Sequence, residues 1–221
     1  MKIDALLLMH PPFADQILAR TRQLDKFGEV CKLANLAELG ATLPRKRWQL
    51  LISFGFGEVV PIGMLRQPSL LAFNIHAAPP GYPGRDPHHF AAYDDVSQYG
   101  ATLHYMSAVV DQGPIVDVEL GSVPSHSKPL DLFDYGNAAG LRLASRFLDS
   151  FDPELPPRTN ASHAWSKQVR KRRDFHALCK VDSSMSPAEF SRRRRAAAMP
   201  GYANLWTEVH GIAFRVALPD Q

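Results

Sequence analysis

Short apolar segments alternate with segments of helical spacing along most of the chain. We predict strands in the apolar segments at residues 3–9, 29–33, 48–54, 70–75, 101–106 and 115–120. We predict helices where apolar side chains recur every three or four positions, at residues 13–27, 88–96 and 128–151. A further short helix is expected after Pro61, since proline suits the first helical turn. Alternating strands and helices predict an α/β domain with a mostly parallel sheet.

Two proline-rich segments interrupt these patterns. Residues 76–87 hold four prolines and two glycines, which predicts a stiff and irregular loop. Residues 152–157 hold three prolines and are typical of a linker. We therefore predict a main domain over residues 1–152 and a small C-terminal appendage over residues 158–221.

Positive charge is concentrated in this appendage. The whole chain carries a net charge of +3, yet residues 158–195 hold 11 basic and 3 acidic side chains. One interpretation is a basic face that contacts only water. The other is a surface that binds an anion, such as a phosphate, a nucleotide or RNA. The sequence leaves both interpretations open.

Cysteine content and hydropathy limit the class of protein. The two cysteines, Cys31 and Cys179, are too few for a disulfide framework and lack metal-ligand spacing, which favours a reduced, cytoplasmic setting. The apolar run near the start is short and Asp4 precedes it, so it predicts a strand rather than a signal peptide. Since no stretch approaches the roughly 18 apolar residues of a membrane helix, we expect no membrane partner.

Polar side chains lie where one of the predicted strands ends. Asn74 and His76 are two positions apart after the apolar residues 70–73, so both point to one face of the strand. Asp111 follows 35 residues after His76. Ligands of α/β proteins bind at the carboxyl ends of the strands. The spacing therefore predicts a pocket that contains an amide and an imidazole, and this pocket could also use the carboxylate of Asp111.

For three further histidines, the sequence favours a structural role over a catalytic or metal-binding one. His104 lies inside a predicted strand with Thr102 on the same face, which favours a structural hydrogen bond over a catalytic role. His88 and His89 open a predicted helix and lack a third ligand at metal spacing. Taken alone, an asparagine at a strand end is usually a turn former, and a single histidine there is usually structural. The interpretation of the predicted pocket changes because of the segments around it.

Four sequence segments stand in a fixed order around this pocket. They are Asn74-Ile75-His76, the proline-rich loop from Pro79 to Gly84, Gly100-Ala101-Thr102-Leu103-His104, and Asp111-Gln112-Gly113-Pro114-Ile115-Val116. In this order they resemble the formyltransferase family that uses 10-formyltetrahydrofolate. Residues 56–61 are similar to the family segment that lines the pterin pocket, and the resemblance runs from residue 48 to residue 120. It implies a Rossmann-like formyltransferase fold.

The resemblance implies an enzyme, an N-formyltransferase that moves a formyl group from 10-formyltetrahydrofolate to a primary amine. It assigns catalytic roles to Asn74, His76 and Asp111. The resemblance also implies a set of residues that bind the co-substrate: Phe56, Glu58, Val59, Val60, Met106, Val110 and Gly113. It places Tyr82 and Arg85 in the acceptor site. The implied co-substrate is 10-formyltetrahydrofolate, and no metal is expected.

The chemistry of formyl transfer suits the three catalytic candidates. Transfer of a formyl group from N10 of the folate to an amine passes through a tetrahedral oxyanion. An asparagine amide can donate to that oxygen, and an imidazole can stabilise it and carry the proton from the attacking amine to the leaving nitrogen. A carboxylate can orient the imidazole and position a water that relays the proton. We therefore expect Asn74 as oxyanion donor, His76 as acid and base, and Asp111 as the group that orients His76.

The sequence departs from the family in its loops. Residues 77–84 are one residue shorter than the corresponding loop of many relatives and lack its serine, which alters the rim of the acceptor pocket. The strand at residues 48–54 also comes earlier in the chain than in many relatives. Residues 9–12, the turn after the first strand, contain no glycine-rich phosphate cradle. This argues against the phosphate site of glycinamide ribonucleotide formyltransferase.

The C-terminal appendage bears on the identity of the amine. Residues 170–175, 192–195 and 200–206 loosely resemble the C-terminal segment of nucleotide-sugar N-formyltransferases. The 64 residues after Pro157 are too few for the larger β-barrel of methionyl-tRNA formyltransferases. We therefore expect a small-molecule partner, a nucleotide-linked amino sugar whose amino group accepts the formyl group. Basic side chains of the appendage could contact the diphosphate of this sugar nucleotide.

Several alternatives stay open. Another amine, such as an aminoacyl-tRNA or hydroxyornithine, would serve as acceptor in the same chemistry, and strongly salt-dependent binding would favour RNA. Water as acceptor would give hydrolysis of formyl-folate, with formate released in the absence of an amine. A folate-binding module without catalysis is the non-enzyme alternative. The sequence also leaves a homodimer open, with the basic appendage as its surface.

Overall fold

A six-stranded sheet forms the centre of the molecule. The computed structural model describes residues 2–216 of the 221-residue chain. The strands are β1 (Ile3–Met9), β2 (Phe27–Leu33), β3 (Leu50–Phe54), β4 (Leu71–His76), β5 (Gln98–Tyr105) and β6 (Ile115–Ser122). They lie in the order β2-β1-β3-β4-β5-β6, and of these six β5 runs antiparallel to both of its neighbours. The predicted mostly parallel α/β sheet is confirmed.

Helices pack on both faces of this sheet and continue into the C-terminal region. They are α1 (Pro11–Arg22), α2 (Leu36–Thr42), α3 (Pro87–Asp94), α4 (Pro129–Ser150), α5 (Arg172–Leu178) and α6 (Pro187–Ala197). Two single 3₁₀ turns lie at Leu43–Arg45 and Ile62–Leu65. After α6, β7 (Trp206–Val209) and β8 (Ile212–Arg215) form a hairpin. Within residues 2–216, no helix has the length and the apolar character that crossing a membrane requires.

The sheet carries an apolar layer on each face. On one face, α1 and α4 cover side chains such as Leu7, Ile52 and Phe73. On the other face, α2 and the 3₁₀ turns cover Leu6 and Leu51. Because these strands are buried on both faces, their sequences are continuous apolar runs rather than strict alternations.

The first helix differs from the sequence prediction at both ends. The predicted span was residues 13–27, but α1 begins at Pro11, because a proline loses no hydrogen bond in the first helical turn. The helix ends at Arg22. Phe27 instead begins β2, where it pairs with Ile3 and is buried. Burial in the sheet outweighs the helical spacing that Phe27 shares with α1.

Helix α2 is not predicted from the sequence, although a helix start is present. The Asn35 side chain accepts a hydrogen bond from the Glu38 N–H at 2.9 Å, and the Glu38 carboxylate accepts the Ala34 N–H at 2.7 Å. The first of these bonds is an N-cap by Asn35, and the second fixes the residue that precedes it. The helix has only seven residues, which is too short to show a helical period in the sequence.

The C-terminal region packs onto the main domain. Its helices and hairpin surround a small apolar cluster that includes Cys179 and Leu205. Helix α6 lies against α3, and the His89 ring donates to the Ala196 carbonyl oxygen at 2.5 Å. The predicted appendage is therefore in direct contact with the sheet domain. The boundary within residues 152–158 stays a prediction.

Candidate active site

Strand β4 ends with the two polar side chains that the sequence singles out. Phe73 and Ile75 belong to the apolar layer under α1 and α4, so Asn74 and His76 point to the opposite face of the sheet. Asn74 lies opposite His104 of the neighbouring strand β5. The strand thus presents an amide and an imidazole together at its carboxyl end, as the spacing of two predicts.

The loop between β5 and β6 brings Asp111 to the same place. Its backbone is in the left-handed region, with a φ of 47°. One carboxylate oxygen, Oδ2, accepts the Gly84 N–H at 2.8 Å and lies 3.3 Å from His76 Nδ1. The other, Oδ1, lies 3.4 Å from Asn74 Nδ2. The structure therefore brings the three predicted catalytic side chains together.

Two glycines make this arrangement sterically feasible. A Cβ atom on Gly113 would lie 1.8 Å from the Tyr105 carbonyl oxygen, so glycine lets the loop close onto β5. Gly84 has a φ of 94°, and its Cβ would lie 2.3 Å from the Arg170 carbonyl oxygen. These contacts explain the glycine of the Asp-x-Gly segment and the glycine that ends the proline-rich loop.

Both ring nitrogens of His76 face oxygen acceptors. Nδ1 faces the Asp111 carboxylate, and Nε2–H donates to the Tyr82 carbonyl oxygen at 2.8 Å. A carbonyl oxygen can only accept, so the proton of this bond belongs to Nε2. The proline-rich loop and the carboxylate together hold the imidazole in one orientation.

A second imidazole joins the cluster. His104 Nδ1–H donates to the Tyr105 carbonyl oxygen at 2.9 Å, which leaves Nε2 to accept from the Asn74 amide at 3.1 Å. Nε2 also lies 3.5 Å from Asp111 Oδ1. The sequence favours a structural hydrogen bond for His104. In the structure, the partner in such a bond is Asn74, which is itself a catalytic candidate. This pairing depends on the antiparallel register of β5 against β4, which the sequence pattern does not reveal.

The Asp111 carboxylate is stabilised in its charged form. Burial alone raises its pKa. The neighbouring imidazoles of His76 and His104 and the Gly84 N–H lower the pKa, and together they outweigh burial. The pKa of Asp111 is therefore below its ordinary value, and the cluster holds a buried negative charge.

Trp165 covers the cluster, although no sequence pattern indicates it. Its indole Nε1–H donates to the Gly113 carbonyl oxygen at 2.7 Å. The indole ring centroid lies 5.9 Å from that of His76 and 5.0 Å from that of His104. Residues 157–170, which carry Trp165, show no helical or strand period, so only the folded chain reveals the contact.

The residues predicted to bind the co-substrate fall into groups. Three belong to the apolar layer on the face of the sheet that carries Asn74: Phe56, Val60 and Met106. Three others are exposed: Glu58, Val59 and Val110. Gly113 accepts the hydrogen bond of Trp165. An apolar wall with an open rim, next to polar groups that fix orientation, is what a flat aromatic ligand requires.

The two residues predicted to bind the acceptor are placed differently. The Tyr82 hydroxyl donates to the Asp94 carboxylate at 2.9 Å, so Tyr82 meets the cluster through its carbonyl oxygen. Burial and the hydrogen bond to Asp94 raise the pKa of Tyr82 above its ordinary value. The Arg85 side chain is 62% exposed, with its Nε 3.6 Å from the Asp86 carboxylate. The structure thus brings the Tyr82 backbone to His76 and leaves Arg85 at the surface.

Three of the four arginines at residues 192–195 bind groups of the protein itself. Arg192 stacks on an aromatic ring of α3, with 4.1 Å between Cζ and the ring centroid. Arg193 donates to carbonyl oxygens at and after the end of α5. Arg195 donates to the Ala92 carbonyl oxygen of α3 at 3.1 Å. Much of this basic segment therefore holds the C-terminal region together and onto the main domain.

The chain is similar in sequence to known formyltransferases. Residues 30–129 match a family model described as formyl transferase. Among curated proteins, the methionyl-tRNA formyltransferase of Listeria monocytogenes is 28% identical over 103 residues, which are 46% of this chain and 33% of that protein. The chain thus spans a third of the length of this curated relative.

Solved structures share the fold over almost the whole chain. A 4-N formyltransferase from Francisella tularensis has a TM-score of 0.78 at 19% identity, over 98% of this chain and 97% of that one. An N-formyltransferase from Helicobacter canadensis, solved with folinic acid and dTDP-3-aminofucose, has a TM-score of 0.69 at 16% identity, over 96% and 85%. The Rossmann-like formyltransferase fold is therefore confirmed. In sequence, residues 30–129 of this chain are similar to the formyl transferase family, and in fold the chain is similar to these two formyltransferase structures.

Proposed function

We propose that this protein is an N-formyltransferase, which moves a formyl group from 10-formyltetrahydrofolate to a primary amine. One observation carries the proposal, the partly buried cluster of Asn74, His76, His104 and Asp111 inside the segment that matches the formyl transferase family. An amide donor, an acid-base group and a carboxylate at one strand end are the groups that acyl transfer to an amine uses.

Asn74 supplies a donor for the oxygen of the formyl group. One of its two N–H bonds points to His104 Nε2 at 3.1 Å. The other points to Asp111 Oδ1 at 3.4 Å, close to the limit of a hydrogen bond. This second N–H can turn to a substrate oxygen at little cost. Its hydrogen bond then stabilises the negative charge that develops on that oxygen as the amine attacks.

His76 carries the proton of the reaction. The amine nitrogen bonds to the formyl carbon and loses a proton, while the bond from the formyl carbon to N10 breaks and N10 gains a proton. His76 Nε2–H donates to the Tyr82 carbonyl oxygen in the structure. Once a substrate replaces that contact, Nε2 gives this proton to N10 and takes up the proton that the amine loses. Asp111, 3.3 Å from Nδ1, orients the ring and stabilises the charge that the ring gains.

The apolar layer beside Asn74 offers the co-substrate a place to bind. Phe56, Val60 and Met106 would contact the flat pterin ring of formyl-folate, which supplies the formyl group carried at N10. This layer lies on the same face of the sheet as the catalytic cluster, so the ring would hold the formyl carbon near Asn74.

Within residues 2–216, no group of three or more His, Cys, Asp or Glu side chains is arranged to hold a metal ion.

For the acceptor, the proposal is an amino group on a nucleotide-linked sugar. The chain matches 97% of the Francisella 4-N formyltransferase, so its C-terminal region is of similar extent to that protein's. The Helicobacter N-formyltransferase was solved with folinic acid and dTDP-3-aminofucose. In this chain, the exposed Lys171 and Arg172 follow Arg170, which bridges to Gly84 in the proline-rich loop. Their positive charges would suit the diphosphate of such a sugar.

An aminoacyl-tRNA is the second candidate acceptor. The Listeria relative is a methionyl-tRNA formyltransferase, and exposed basic side chains would equally suit an RNA backbone. Binding to RNA would weaken steeply with salt, whereas binding of one nucleotide-linked sugar would weaken less.

The cytoplasmic setting and the homodimer stay predictions.

A panel assay tests the proposal. The purified protein is mixed with 10-formyltetrahydrofolate and one acceptor at a time, and tetrahydrofolate formation is followed. We expect turnover with at least one nucleotide-linked amino sugar, and a formylated amine detectable by mass spectrometry. Turnover with charged initiator tRNA alone would favour the second candidate. Tetrahydrofolate formed without any amine would indicate hydrolysis.

Variants of the cluster test the catalytic assignment in the same assay. Asn74→Ala and His76→Ala each remove one catalytic group and are expected to lower kcat/KM by about 100-fold or more. His210→Ala, in the exposed turn of the hairpin, is the matched control and should leave the rate unchanged. Undiminished turnover in either cluster variant would contradict the assignment.

A further inference from the structure

An irregular segment crosses the catalytic cluster. Residues 157–170, here called the strap, contain neither a helix nor a strand. Several hydrogen bonds tie the strap to the loops and strands around the cluster. They include Tyr105 hydroxyl to Pro157 carbonyl (2.8 Å), Asn160 N–H to Ile115 carbonyl (2.8 Å), Ser166 N–H to Pro80 carbonyl (2.9 Å) and Arg170 N–H to Pro83 carbonyl (2.9 Å). Because these bonds are spread along its length, the strap has a defined path despite its lack of secondary structure.

Trp165 is the strap side chain that reaches the cluster. Its ring stands at 86° to the ring of His104 and at 65° to the ring of His76, both edge-to-face contacts. The hydrogen bond from its indole Nε1–H to the Gly113 carbonyl oxygen, 2.7 Å long, fixes the ring. Trp165 thus contacts both imidazoles without forming a hydrogen bond to a nitrogen of either ring.

The cluster under this cover is shielded from water. The exposed fractions of the side chains are 10% for His76, 7% for Asp111 and 3% for His104. Exclusion of water strengthens the interactions among these groups and suppresses side reactions. For formyl transfer the side reaction is attack by water on the formyl carbon, which competes with attack by the amine.

We propose that Trp165 is a positioning residue that keeps water from the formyl carbon and so directs the formyl group to the amine. This role rests on the proposed function. In transfer and in hydrolysis alike, the bond from the formyl carbon to N10 breaks and N10 gains a proton. In transfer the amine nitrogen bonds to the formyl carbon. In hydrolysis the oxygen of water does so, and formate is released. Trp165 sets the ratio of the two products.

Two variants and one matched control test this role in the full chain. Trp165→Ala removes the ring, and Trp165→Phe keeps an aromatic ring but removes the hydrogen bond to Gly113. Trp206 offers the control. Its indole N–H also donates to a carbonyl oxygen, that of His176 (2.8 Å), and its ring also lies against an imidazole, the ring of His176. Trp206→Phe therefore makes the same chemical change in the C-terminal region. Circular dichroism and thermal unfolding show whether each variant is folded.

The partition of the formyl group is the first measurement. With donor and amine present, we expect the ratio of formate to formylated amine to rise about tenfold or more in Trp165→Ala. A smaller rise is expected in Trp165→Phe and none in Trp206→Phe. A change confined to stability would lower both products together, so the ratio separates the two effects. An unchanged ratio in a folded Trp165 variant would overturn the proposal.

Accessibility of the histidines is the second measurement, and it needs no substrate. Diethylpyrocarbonate modifies exposed imidazoles, and the modified peptides are quantified by mass spectrometry. We expect His76 and His104 to react several-fold faster in Trp165→Ala than in the wild type, with His210 as the exposed reference. Equal rates would show that Trp165 does not cover the cluster. If the wild type formylates no amine, the proposed function fails, while this measurement still decides whether Trp165 shields the imidazoles.

Discussion

Among single residues, Asp111 is the centre of the site because four groups converge on its carboxylate. They are the Gly84 N–H, the Asn74 amide and the imidazoles of His76 and His104. A buried charge is tolerated only when donors and opposite charges surround it. These partners come from separate parts of the chain, so the backbone of each part has to be held in place for the site to form.

Gly84→Ala tests how strictly the proline-rich loop is held. The new Cβ would lie 2.3 Å from the Arg170 carbonyl oxygen, at a φ of 94° that disfavours side chains. We expect a loss of about 2–4 kcal/mol in the free energy of unfolding, measured with urea. The control is Gly81→Ala, whose Cβ would meet nothing within 4 Å, with an expected change of about 0.5 kcal/mol or less. Equal losses in the two variants would refute this account of the loop.

The residues of the site were predictable to different degrees. A period of two within one strand was enough to place Asn74 and His76 on one face. Asp111 came from the family resemblance, since nothing local ties it to a residue 35 positions away. His104 requires the antiparallel register of β5, and Trp165 requires the path of the strap. Both are set by tertiary structure, which local patterns do not encode.

Among the elements, helix α3 connects the site with the rest of the fold. It begins three residues after Gly84, and it packs on α4 and on α6. The His88 ring lies 5.2 Å from the ring of Phe133 in α4. Burial, and to a lesser degree the charge of His89, lower the pKa of His88 from 6.5 to about 3. His88 is therefore neutral in the folded protein near pH 7.

His88→Phe tests this interface through the pH dependence of stability. Between pH 6.5 and about 3 the unfolded chain binds a proton at His88 that the folded protein does not bind. The stability that neutral His88 contributes is present above pH 6.5 and lost as the pH falls, by at most about 1.4 kcal/mol per pH unit.

Phenylalanine keeps the aromatic contact and cannot titrate. The free energy of unfolding of the wild type minus that of His88→Phe should therefore decrease from pH 7.5 to pH 5. Unfolding in urea at four or five pH values measures this difference. Parallel pH profiles for the two proteins would show that His88 is not held neutral by the interface.

The longest helix was predicted well, and the helices of the C-terminal region were not. Helix α4 was predicted at residues 128–151 and spans Pro129–Ser150, because 22 residues give the apolar period many repeats. Helices α5 and α6 and the hairpin were not predicted. Helix α6 is rich in arginine and has few apolar positions, and its stability depends on contacts with α3 and on the Ser186 cap.

In the whole molecule, the C-terminal region and the main domain complete one site together. The strap covers the candidate catalytic cluster, and α6 holds the C-terminal region on α3. From the sequence, the basic side chains of this region were expected either to face water or to bind an anion. Three of its arginines instead contact carbonyl oxygens and an aromatic ring of the protein itself. Composition could not reveal these contacts, because helix α3, which supplies two of the partners, lies about a hundred residues earlier in the chain.

Arg195→Ala tests this docking. Arg195 is 18% exposed, donates to the Ala92 carbonyl oxygen at the end of α3 and lies 3.7 Å from the Asp95 carboxylate. We expect a loss of about 1–3 kcal/mol in the free energy of unfolding and faster hydrogen exchange in α6 and the strap. Arg194→Ala is the control, since Arg194 is exposed on the same helix, with a change of about 0.5 kcal/mol or less. Identical exchange in the two variants would argue against the docking role.

The most direct test of the proposed activity compares the wild type with Asp111→Asn, which keeps the shape of the side chain and removes its charge. Tetrahydrofolate and formylated amine are both quantified over time, with 10-formyltetrahydrofolate as donor and an accepted amine. We predict that the wild type forms the two products in equal amounts. Asp111→Asn should lower kcat by about 100-fold or more with little change in the KM for the donor. Equal rates in the two proteins, or tetrahydrofolate without formylated amine in the wild type, would contradict formyl transfer by this cluster.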